Sequence, residues 1–562
     1  MTDQAVMCPP TSWGQSFTVE RAMPTEATTR SRRRIGPLSD WTAEGGDELL
    51  TESVPRLLAR QAAAHGDRPA LWRPDGDGLT PVTYAELASA AETVARALAG
   101  RVAPGERVAV WSRNSVEWVV LEYGCALAGL VLTPFNTAWT DAEVDHATRL
   151  TTPALVFAGT GPTGDSLVPR AAGVCGADAV LDLTGLREWA ATATAGQLPV
   201  VGAEDPFLIQ FTSGTTGRSK GAVLTHMAVL NAARERNRRD VIGPNDVWLN
   251  PVPYHHIGGS CFVILGGLVD AGAFVVVEKY APAETMRLLD HGVVTRIGGV
   301  PTMVIDALQH LGEQAGAAGI RSVAVGGATV TQHLVERIRQ TLGAPVINTY
   351  AQSECPAITS TDIHDDSATI AGTVGRPVAG VHMKVIDPAT GETVPIGVVG
   401  EIVTRSPYVM RGYWGMAEQT ADVLPADGFL RTGDLASMDE YGNVTFQGRV
   451  RDVIIRGGEN VYPAEVEELL AAHPGVASAV LVGIDDERLG ERVAGVVVRA
   501  PGGDVTGEAL AEYLRDSVAR FKIPELWRFV DVLPMTASGK IRRFVVRDDT
   551  NVYATAARPG DE

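Results

Sequence analysis

A run of ten small, hydroxyl-bearing or basic residues, 212–221, is the part of the sequence best suited to chemistry. It directly follows the apolar run Phe207–Phe211, which favours a buried strand. Glycines let the backbone approach a ligand closely, and hydroxyl and backbone N–H groups can surround phosphate oxygens. The spacing does not match the Walker A pattern. The run predicts a phosphate-binding loop formed by Thr212, Ser213, Gly214, Thr215, Thr216, Gly217 and Lys220.

Four further segments, well separated along the chain, carry charged groups beside glycines or hydroxyls. Tyr350–Glu354 reads Y-A-Q-S-E and follows an apolar run that is typical of a strand. Arg431–Asp434 reads R-T-G-D, and its aspartate lies 15 residues before Arg449. Gly448–Glu467 begins G-R-V-R-D and contains a double glycine, and Leu533–Lys540 reads L-P-M-T-A-S-G-K. Each short motif says little alone, and their order along the chain gives them weight.

Together these segments resemble the adenylate-forming superfamily of acyl-CoA synthetases, non-ribosomal adenylation domains and luciferases. The family's phosphate loop reads T-S-G-T-T-G-x-P-K-G, and here Ser219 stands at the proline position. Ala351 and Ser353 replace the glycine and threonine of the family's Y-G-x-T-E. The resemblance runs from about residue 50 to about residue 550. It implies an AMP-forming acid–thiol ligase that uses ATP and Mg²⁺, with coenzyme A as the second substrate.

The resemblance also implies roles for single residues at the nucleotide. Tyr350 would stack on the adenine, and Asp434 and Arg449 would bind the ribose, since a carboxylate can accept two hydrogen bonds from a diol. Glu354 and Thr216 would be catalytic ligands of Mg²⁺, which prefers hard oxygen atoms. The remaining positions that it assigns to nucleotide binding are Gly327, Ala328 and Ser353.

Residues near the C-terminus would separate the two chemical steps. Lys540 matches the family's catalytic lysine, whose ammonium group stabilises the charge that builds on the α-phosphate. Arg451 occupies the hinge position, where relatives usually carry Asp or Lys. Gly457 and Gly458 match the loop that lines the pantetheine tunnel in thioester-forming relatives. The glycines could equally form a simple turn after a strand, and both interpretations can hold together.

The acyl pocket is predicted around Pro253–Gly259, which reads P-Y-H-H-I-G-G and resembles the family's P-x-[FWY]-H-x-x-G. His256 then takes the family's histidine position and His255 replaces an aromatic residue. A shift of one residue would instead pair Tyr254 with His255. No acidic residue is present in the segment to bind an ammonium group, so a free α-amino acid is disfavoured. Two histidines are polar for a fatty tail, which favours a small acid, with aromatic and medium-chain acids both open. The other predicted walls are Thr329 and Cys355.

Three functional hypotheses follow. The first is a ligase that joins a small carboxylic acid to coenzyme A. The second is an adenylating enzyme of a biosynthetic pathway with another acceptor, such as a carrier-protein thiol, an amine or a hydroxyl, or with an unusual acid such as nitrite in diazotisation. The third is a non-catalytic nucleotide-binding protein, against which the intact Lys540, Glu354 and Asp434 argue.

These motifs need elements that hold them. A strand at Val108–Trp111, a helix at Val116–Leu127 and a strand at Leu130–Thr133 alternate as in a parallel sheet covered by helices. Short strands with glycine turns dominate after Ala371. These patterns predict an α/β fold class, with a large N-terminal domain of layered sheets, a small β-barrel-like part, and a small α+β C-terminal domain, which the resemblance implies is mobile. The predicted boundaries are a disordered extension at 1–45, the large domain at 46–448 and the small domain at 449–562.

Composition narrows the function further. The formal net charge of −19 gives a long-range field that repels phosphate backbones, which argues against nucleic acid as a partner. The five cysteines are scattered, without a C-x-x-C pair, as is typical of a reduced cytoplasmic protein without a cysteine metal site. No apolar run approaches the roughly 20 residues that span a bilayer. The first 45 residues are rich in Thr, Pro and Ser, and no apolar core follows Arg32–Arg34, so a secretory signal is not expected.

Overall fold

The computed structural model describes residues 35–43, 49–212, 219–312, 319–327, 330–486, 488–515, 517–535 and 541–556. Most of the predicted extension lies outside these ranges. Within them, no helix is long and apolar enough to cross a membrane.

The strands of the described ranges are, in chain order, β1 Asp40–Thr42, β2 Pro69–Asp75, β3 Gly78–Thr83, β4 Arg107–Trp111, β5 Val131–Pro134, β6 Leu155–Ala158, β7 Val180–Asp182, β8 Pro206–Thr212, β9 Lys220–Thr225, β10 Val247–Leu249, β11 Ala273–Val275, β12 Arg296–Gly299, β13 Ser322–Gly326, β14 Val346–Gln352, β15 Cys355–Ser360, β16 Arg376–Pro377, β17 His382–Ile386, β18 Gly400–Arg405, β19 Leu430–Met438, β20 Val444–Arg449, β21 Ile454–Arg456, β22 Glu459–Val461, β23 Val476–Asp486, β24 Gly490–Arg499 and β25 Leu526–Phe529.

The α-helices of the same ranges are α1 Val54–His65, α2 Tyr84–Ala99, α3 Val116–Leu127, α4 Asp141–Thr151, α5 Val168–Cys175, α6 Leu186–Thr192, α7 His226–Asp240, α8 Gly266–Val269, α9 Pro282–Arg287, α10 Pro301–Leu311, α11 Gln332–Leu342, α12 Ser367–Gly372, α13 Ala417–Val423, α14 Pro463–Ala471, α15 Gly507–Leu514 and α16 Arg543–Ala556.

A six-stranded sheet holds the predicted phosphate loop. Its order is β7-β6-β4-β5-β8-β9, with β4 to β8 parallel neighbours and β9 antiparallel to β8. The predicted alternation of β4, α3 and β5 is confirmed, and α3 has the predicted bounds. Strand β4 is buried along its last four residues because helices cover the sheet, which explains its continuous apolar sequence.

A nine-stranded sheet, in the order β16-β15-β14-β13-β12-β10-β11-β2-β3, carries the second motif. Its central strands are parallel, and β15, β16 and β3 add antiparallel edges. The Tyr350–Glu354 motif was predicted as a loop at a strand end. Instead, Tyr350 and Gln352 belong to β14, and only residues 353 and 354 form the turn, because pairing with β15 continues the ladder past the predicted end.

A third sheet is antiparallel, in the order β1-β17-β18-β19-β20, and corresponds to the small β part expected after Ala371. Strand β1 corrects one prediction, since Asp40–Thr42 lies inside the segment expected to be a disordered extension. It pairs with β17, and Ile35 and Ser39 donate backbone hydrogen bonds to Glu440 and Val394 at 3.0 and 2.9 Å. Residues 35–42 therefore belong to the folded part of the chain, because long-range pairing satisfies this backbone.

The C-terminal sheet has the order β22-β21-β24-β23, with β25 parallel to β24. It has its own apolar core with α14 and α15, which includes Val466, Val493 and Leu510. These elements agree with the predicted α+β character. In this domain α15 ends at Leu514, and a 3-10 turn follows at Arg520–Lys522.

Candidate active site

The predicted phosphate loop connects β8 to β9 as a hairpin. Thr212, the last residue of β8, is paired in register with Lys220, the first residue of β9. The loop's Ser213, Gly214, Thr215, Thr216 and Gly217 lie outside the described residues. Its C-terminal end is held by His146 of α4, whose Nε2 donates to the Ser219 carbonyl at 3.0 Å. The register brings both ends of the loop together at one sheet edge.

The predicted ribose-binding residues form one hydrogen-bonded group. Strands β19 and β20 are antiparallel neighbours that place Asp434 opposite Arg449. The distance between Arg449 Nε and Asp434 Oδ1 is 3.1 Å. The hydroxyl group of Tyr350 donates to Asp434 Oδ2 at 2.7 Å. Burial and the Asp434 charge raise the pKa of Tyr350 well above its usual value, so the phenol stays a donor. The structure thus brings Tyr350, Asp434 and Arg449 together.

Gln352 belongs to this group and was missed by the sequence reasoning. Its amide donates to Asp434 Oδ2 at 2.5 Å and to the Thr432 carbonyl at 3.0 Å. Alternate residues of a strand share a face. The spacing of two residues between Tyr350 and Gln352 was a signal that could have identified it, had the strand been predicted to continue.

The predicted metal ligand Glu354 lies in the turn after β14, next to Ser353. Its Oε1 accepts a hydrogen bond from the Tyr413 hydroxyl group at 2.8 Å, and its carbonyl accepts one from the Met410 backbone at 2.8 Å. The Lys220 ammonium group lies 4.9 Å from the centre of the Tyr413 ring. Candidate phosphate and metal groups from two different sheets therefore meet at Tyr413.

The donor set around Glu354 fits Mg²⁺ rather than a metal held by a full protein cage. Among the described residues, no group of three or more His, Cys, Asp or Glu side chains is arranged to hold a metal ion. Mg²⁺ commonly binds through one or two carboxylates, with substrate phosphates supplying other oxygens. A single carboxylate beside a phosphate loop matches that mode.

Two buried amides fix the predicted acyl-pocket segment. Asn114 Oδ1 accepts from the Tyr254 backbone at 2.7 Å, and the Gln210 amide donates to the His255 carbonyl at 2.8 Å. The Tyr254 side chain lies in the core, only 1 % exposed, with its ring centre 6.4 Å from that of Trp118. The side chains of His255 and His256 are half-buried.

The imidazole of His255 is electrically neutral at neutral pH. Burial, with a smaller contribution from neighbouring His256, lowers the pKa of His255 to about 3. His256 Nδ1 accepts from the Gly258 backbone at 3.1 Å. Cys355, a predicted wall, is fully buried, and its thiol donates to the Ala357 carbonyl at 3.4 Å. Gly327 follows β13 with a φ of +77°, and Ala328 and Thr329 lie outside the described residues.

The predicted hinge residue Arg451 lies in a 3-10 turn, Val450–Asp452, between β20 and β21. Its side chain is 43 % exposed and lies 3.7 Å from the Asp452 carboxylate. Gly457 and Gly458 form the β21–β22 turn with φ values of +61° and +90°, which L side chains rarely adopt, so the turn itself requires glycine. Lys540 lies outside the described residues.

Comparison with known proteins identifies the chain's relatives. The model of the AMP-binding enzyme family matches residues 58–414, and that of the AMP-binding enzyme C-terminal domain matches 465–540. A putative acyl-CoA synthetase, YngI, of Bacillus subtilis is 31% identical over 539 residues, covering 90% of this chain and 98% of the relative. A feruloyl-CoA synthase of Amycolatopsis sp is 35% identical over 474 residues, covering 84% and 94%.

Solved structures agree with these relatives. ATP-bound MatB from Rhodopseudomonas palustris is 32% identical, with a TM-score of 0.80 over 88% of this chain and 99% of that one. A Bacillus subtilis o-succinylbenzoate CoA synthetase in complex with its acyl-adenylate is 27% identical, with a TM-score of 0.79 over 91% and 100%. The family model alone matches more than half of the chain. The chain therefore belongs to the AMP-binding enzyme family and is an AMP-forming acid–thiol ligase of the acyl-CoA synthetase type.

Proposed function

We propose that the chain adenylates a small carboxylic acid with ATP and then transfers the acyl group to coenzyme A. In the first step a carboxylate oxygen attacks the α-phosphate and pyrophosphate leaves. In the second step a thiol attacks the acyl carbon and AMP leaves. The observation that carries the proposal is the meeting of Lys220 and Glu354 at Tyr413, since it brings a phosphate-binding cation beside a carboxylate that suits Mg²⁺.

The nucleotide would bind between the β8–β9 hairpin and the β14–β15 hairpin. Asp434 would accept the ribose hydroxyls, with Arg449 beside it, while Tyr350 and Gln352 hold the carboxylate in place from its other oxygen. The Tyr350 ring would remain available to the adenine, because its hydroxyl group is the part committed to Asp434. Gly327 and Ser353 would complete the nucleotide site, with Ala328 and the phosphate-loop residues 213–217.

Charge neutralisation would be shared among three groups. Glu354 and Thr216 would hold Mg²⁺, which supplies neutralisation of the triphosphate charge when bound. Lys220 would bind phosphate oxygens from the end of the loop. Lys540 would stabilise the negative charge that develops on the α-phosphate as the carboxylate attacks.

The second step would depend on residues 449–562 acting as a mobile domain. A single small domain cannot present Lys540 and a thiol path to the same atoms at once. Arg451 would be the pivot, since it lies in a short turn with its side chain partly exposed. Gly457 and Gly458 would line the path of the thiol, and their exposed turn supports this role.

The acid is proposed to be small, with aromatic and medium-chain acids as the leading classes. His255 is neutral, so it would not bind a carboxylate or ammonium group as an ion partner. A neutral, half-buried imidazole can still exchange a hydrogen bond with a hydroxyl or carbonyl group on the acid. This chemistry favours a substituted small acid over a long saturated chain.

A carrier-protein thiol is the second candidate acceptor. A fatty acid–[acyl-carrier-protein] ligase, ScoC, of Streptomyces coeruleorubidus is 33% identical over 483 residues, covering 83% of this chain. A coenzyme A acceptor and a carrier-protein acceptor present the same phosphopantetheine thiol, so the proposed thiol path would serve either.

The deciding experiment is pyrophosphate release with ATP and Mg²⁺ across a panel of aromatic, medium-chain and dicarboxylic acids. Product analysis would follow with coenzyme A or with a phosphopantetheinylated carrier protein. We expect acid-dependent pyrophosphate release and an acyl-CoA product. A thioester only on the carrier protein would favour the second candidate. Absence of acid-dependent release across the panel would contradict the proposed function.

A further inference from the structure

The segment Met410–Trp414 contacts both the β8–β9 hairpin, which carries Lys220, and the β14–β15 hairpin, which carries Glu354. On one side its backbone pairs with β9, the strand that begins with Lys220. Arg411 donates to the Val223 carbonyl at 2.9 Å, and Val223 donates to the Gly412 carbonyl at 2.9 Å. Trp414 donates to the Gly221 carbonyl at 2.8 Å. The segment therefore lies antiparallel to β9, with one isolated β-bridge between Tyr413 and Ala222.

On the other side the same segment holds Glu354. The Met410 backbone donates to the Glu354 carbonyl at 2.8 Å, and the Tyr413 hydroxyl group donates to Glu354 Oε1 at 2.8 Å. The face of the Tyr413 ring receives the Lys220 ammonium group at 4.9 Å. One side chain thus contacts the candidate metal ligand through its hydroxyl group and the candidate phosphate ligand through its ring.

The backbone around Tyr413 is itself fixed. Gly412 has a φ of +141°, and a Cβ atom there would lie 2.7 Å from the Thr420 methyl carbon. The Tyr413 N–H donates to Thr420 Oγ1 at 2.9 Å. Glycine at this position therefore lets the segment pack against α13, and this packing fixes the position of the Tyr413 backbone.

We propose that Tyr413 is a positioning residue for adenylation, whose hydroxyl group orients the Glu354 carboxylate and whose ring sets the distance between that carboxylate and Lys220. The proposal rests on the proposed function and adds a residue to it. A donor on Oε1 leaves Oε2 for a metal, which favours a single binding geometry.

The test is Tyr413→Phe, which removes the hydroxyl group and keeps the ring. A hydrogen bond to a charged group contributes about 1.5–3 kcal/mol, so kcat for acid-dependent pyrophosphate release should fall by about 10-fold to about 100-fold. The apparent Mg²⁺ requirement should rise, and the Michaelis constant for the acid should stay within about 2-fold. Tyr408→Phe is the matched control, since the Tyr408 hydroxyl group donates to the Ala379 carbonyl at 2.6 Å.

A merely structural role would lower thermal stability and affect both variants alike. The proposal is wrong if Tyr413→Phe keeps wild-type kcat and Mg²⁺ dependence, or if Tyr408→Phe reproduces its loss. A double-mutant cycle adds a second criterion. In a Glu354→Gln background, adding Tyr413→Phe should lower kcat further by less than about 2-fold, because the partner of the hydroxyl group has already lost its charge. Persistence of the full loss in that background would overturn the proposal.

These outcomes are separate from the fate of the proposed function. If wild-type protein releases no pyrophosphate with any acid, the proposed function fails before the variants are compared. If wild type is active and Glu354→Gln is equally active, the ligase function stands while the roles of Glu354 and Tyr413 are both wrong.

Discussion

Replacing Glu122 with glutamine should stabilise the folded protein at neutral pH, by an amount that grows as pH rises. Glu122 lies in the middle of α3 and is 0 % exposed. Neither of its carboxylate oxygens has a hydrogen-bond partner within the described residues, and nearby Trp118 favours the charged form less than burial opposes it. Burial therefore raises the pKa of Glu122 well above 4.5, and the folded protein keeps the proton.

The magnitude follows from linkage between proton binding and folding. Above the ordinary pKa the unfolded chain releases the Glu122 proton, whereas the folded state retains it until its raised pKa. In that interval the folded state binds more protons, so stability falls with pH by about 1.4 kcal/mol per unit. While the folded state holds this proton, the wild type loses stability relative to Glu122→Gln as pH rises, at up to about 1.4 kcal/mol per pH unit, because glutamine cannot titrate.

Urea unfolding of both proteins at several pH values in this window is the assay, with the difference in free energy as the quantity compared. Glu117→Gln is the control on the same helix. The Glu117 side chain is 31 % exposed and lies 3.8 Å from Arg187, so this variant removes a carboxylate from the same helix at a position outside the core. A Glu122→Gln difference that stays constant from about pH 5 to about pH 7 would refute a buried, protonated carboxyl group.

Four predictions concern the site. Lys540→Ala should lower the adenylation rate by about 10²-fold to about 10³-fold and leave thioester formation from a supplied acyl-adenylate intact; normal pyrophosphate release would contradict its role. Gln352→Leu should raise the Michaelis constant for ATP by about 10-fold and spare that of the acid, because Asp434 loses a donor at 2.5 Å; an equal rise for both substrates would argue for a general packing defect. His255→Ala should reorder the preferred acids with little change for ATP, whereas a uniform loss would indicate a structural role. Arg451→Pro should keep adenylate formation and lose thiol transfer, since proline fixes φ near −65°; measuring the half-reactions separately would show whether both fall together, which would exclude a pivot.

Local sequence patterns were sufficient for many of the elements, and they predicted most residues of the candidate nucleotide site. Helix α3 has its predicted bounds because Ser115 caps its N-terminus and Gly129, with a φ of +66°, follows its C-terminal end. The pairing of Asp434 with Arg449 follows from a short hairpin, so their spacing in sequence already indicated proximity. The motif residues of the family, read from sequence, also identified Glu354 and Lys220 before their contacts were known.

Only the tertiary structure decided which side chains support those motifs. Tyr413 is 59 residues from Glu354, and His146 is 73 residues from Ser219. Such contacts depend on the register between strands and helices of different sheets, and a shift of one residue in a strand would turn its side chains to the other face. The strand at Asp40–Thr42 was missed for the same reason, since its partner β17 lies more than 300 residues away. The spacing of apolar residues within a segment determines whether it forms a helix or a strand. Pairing between distant segments determines which side chains come into contact.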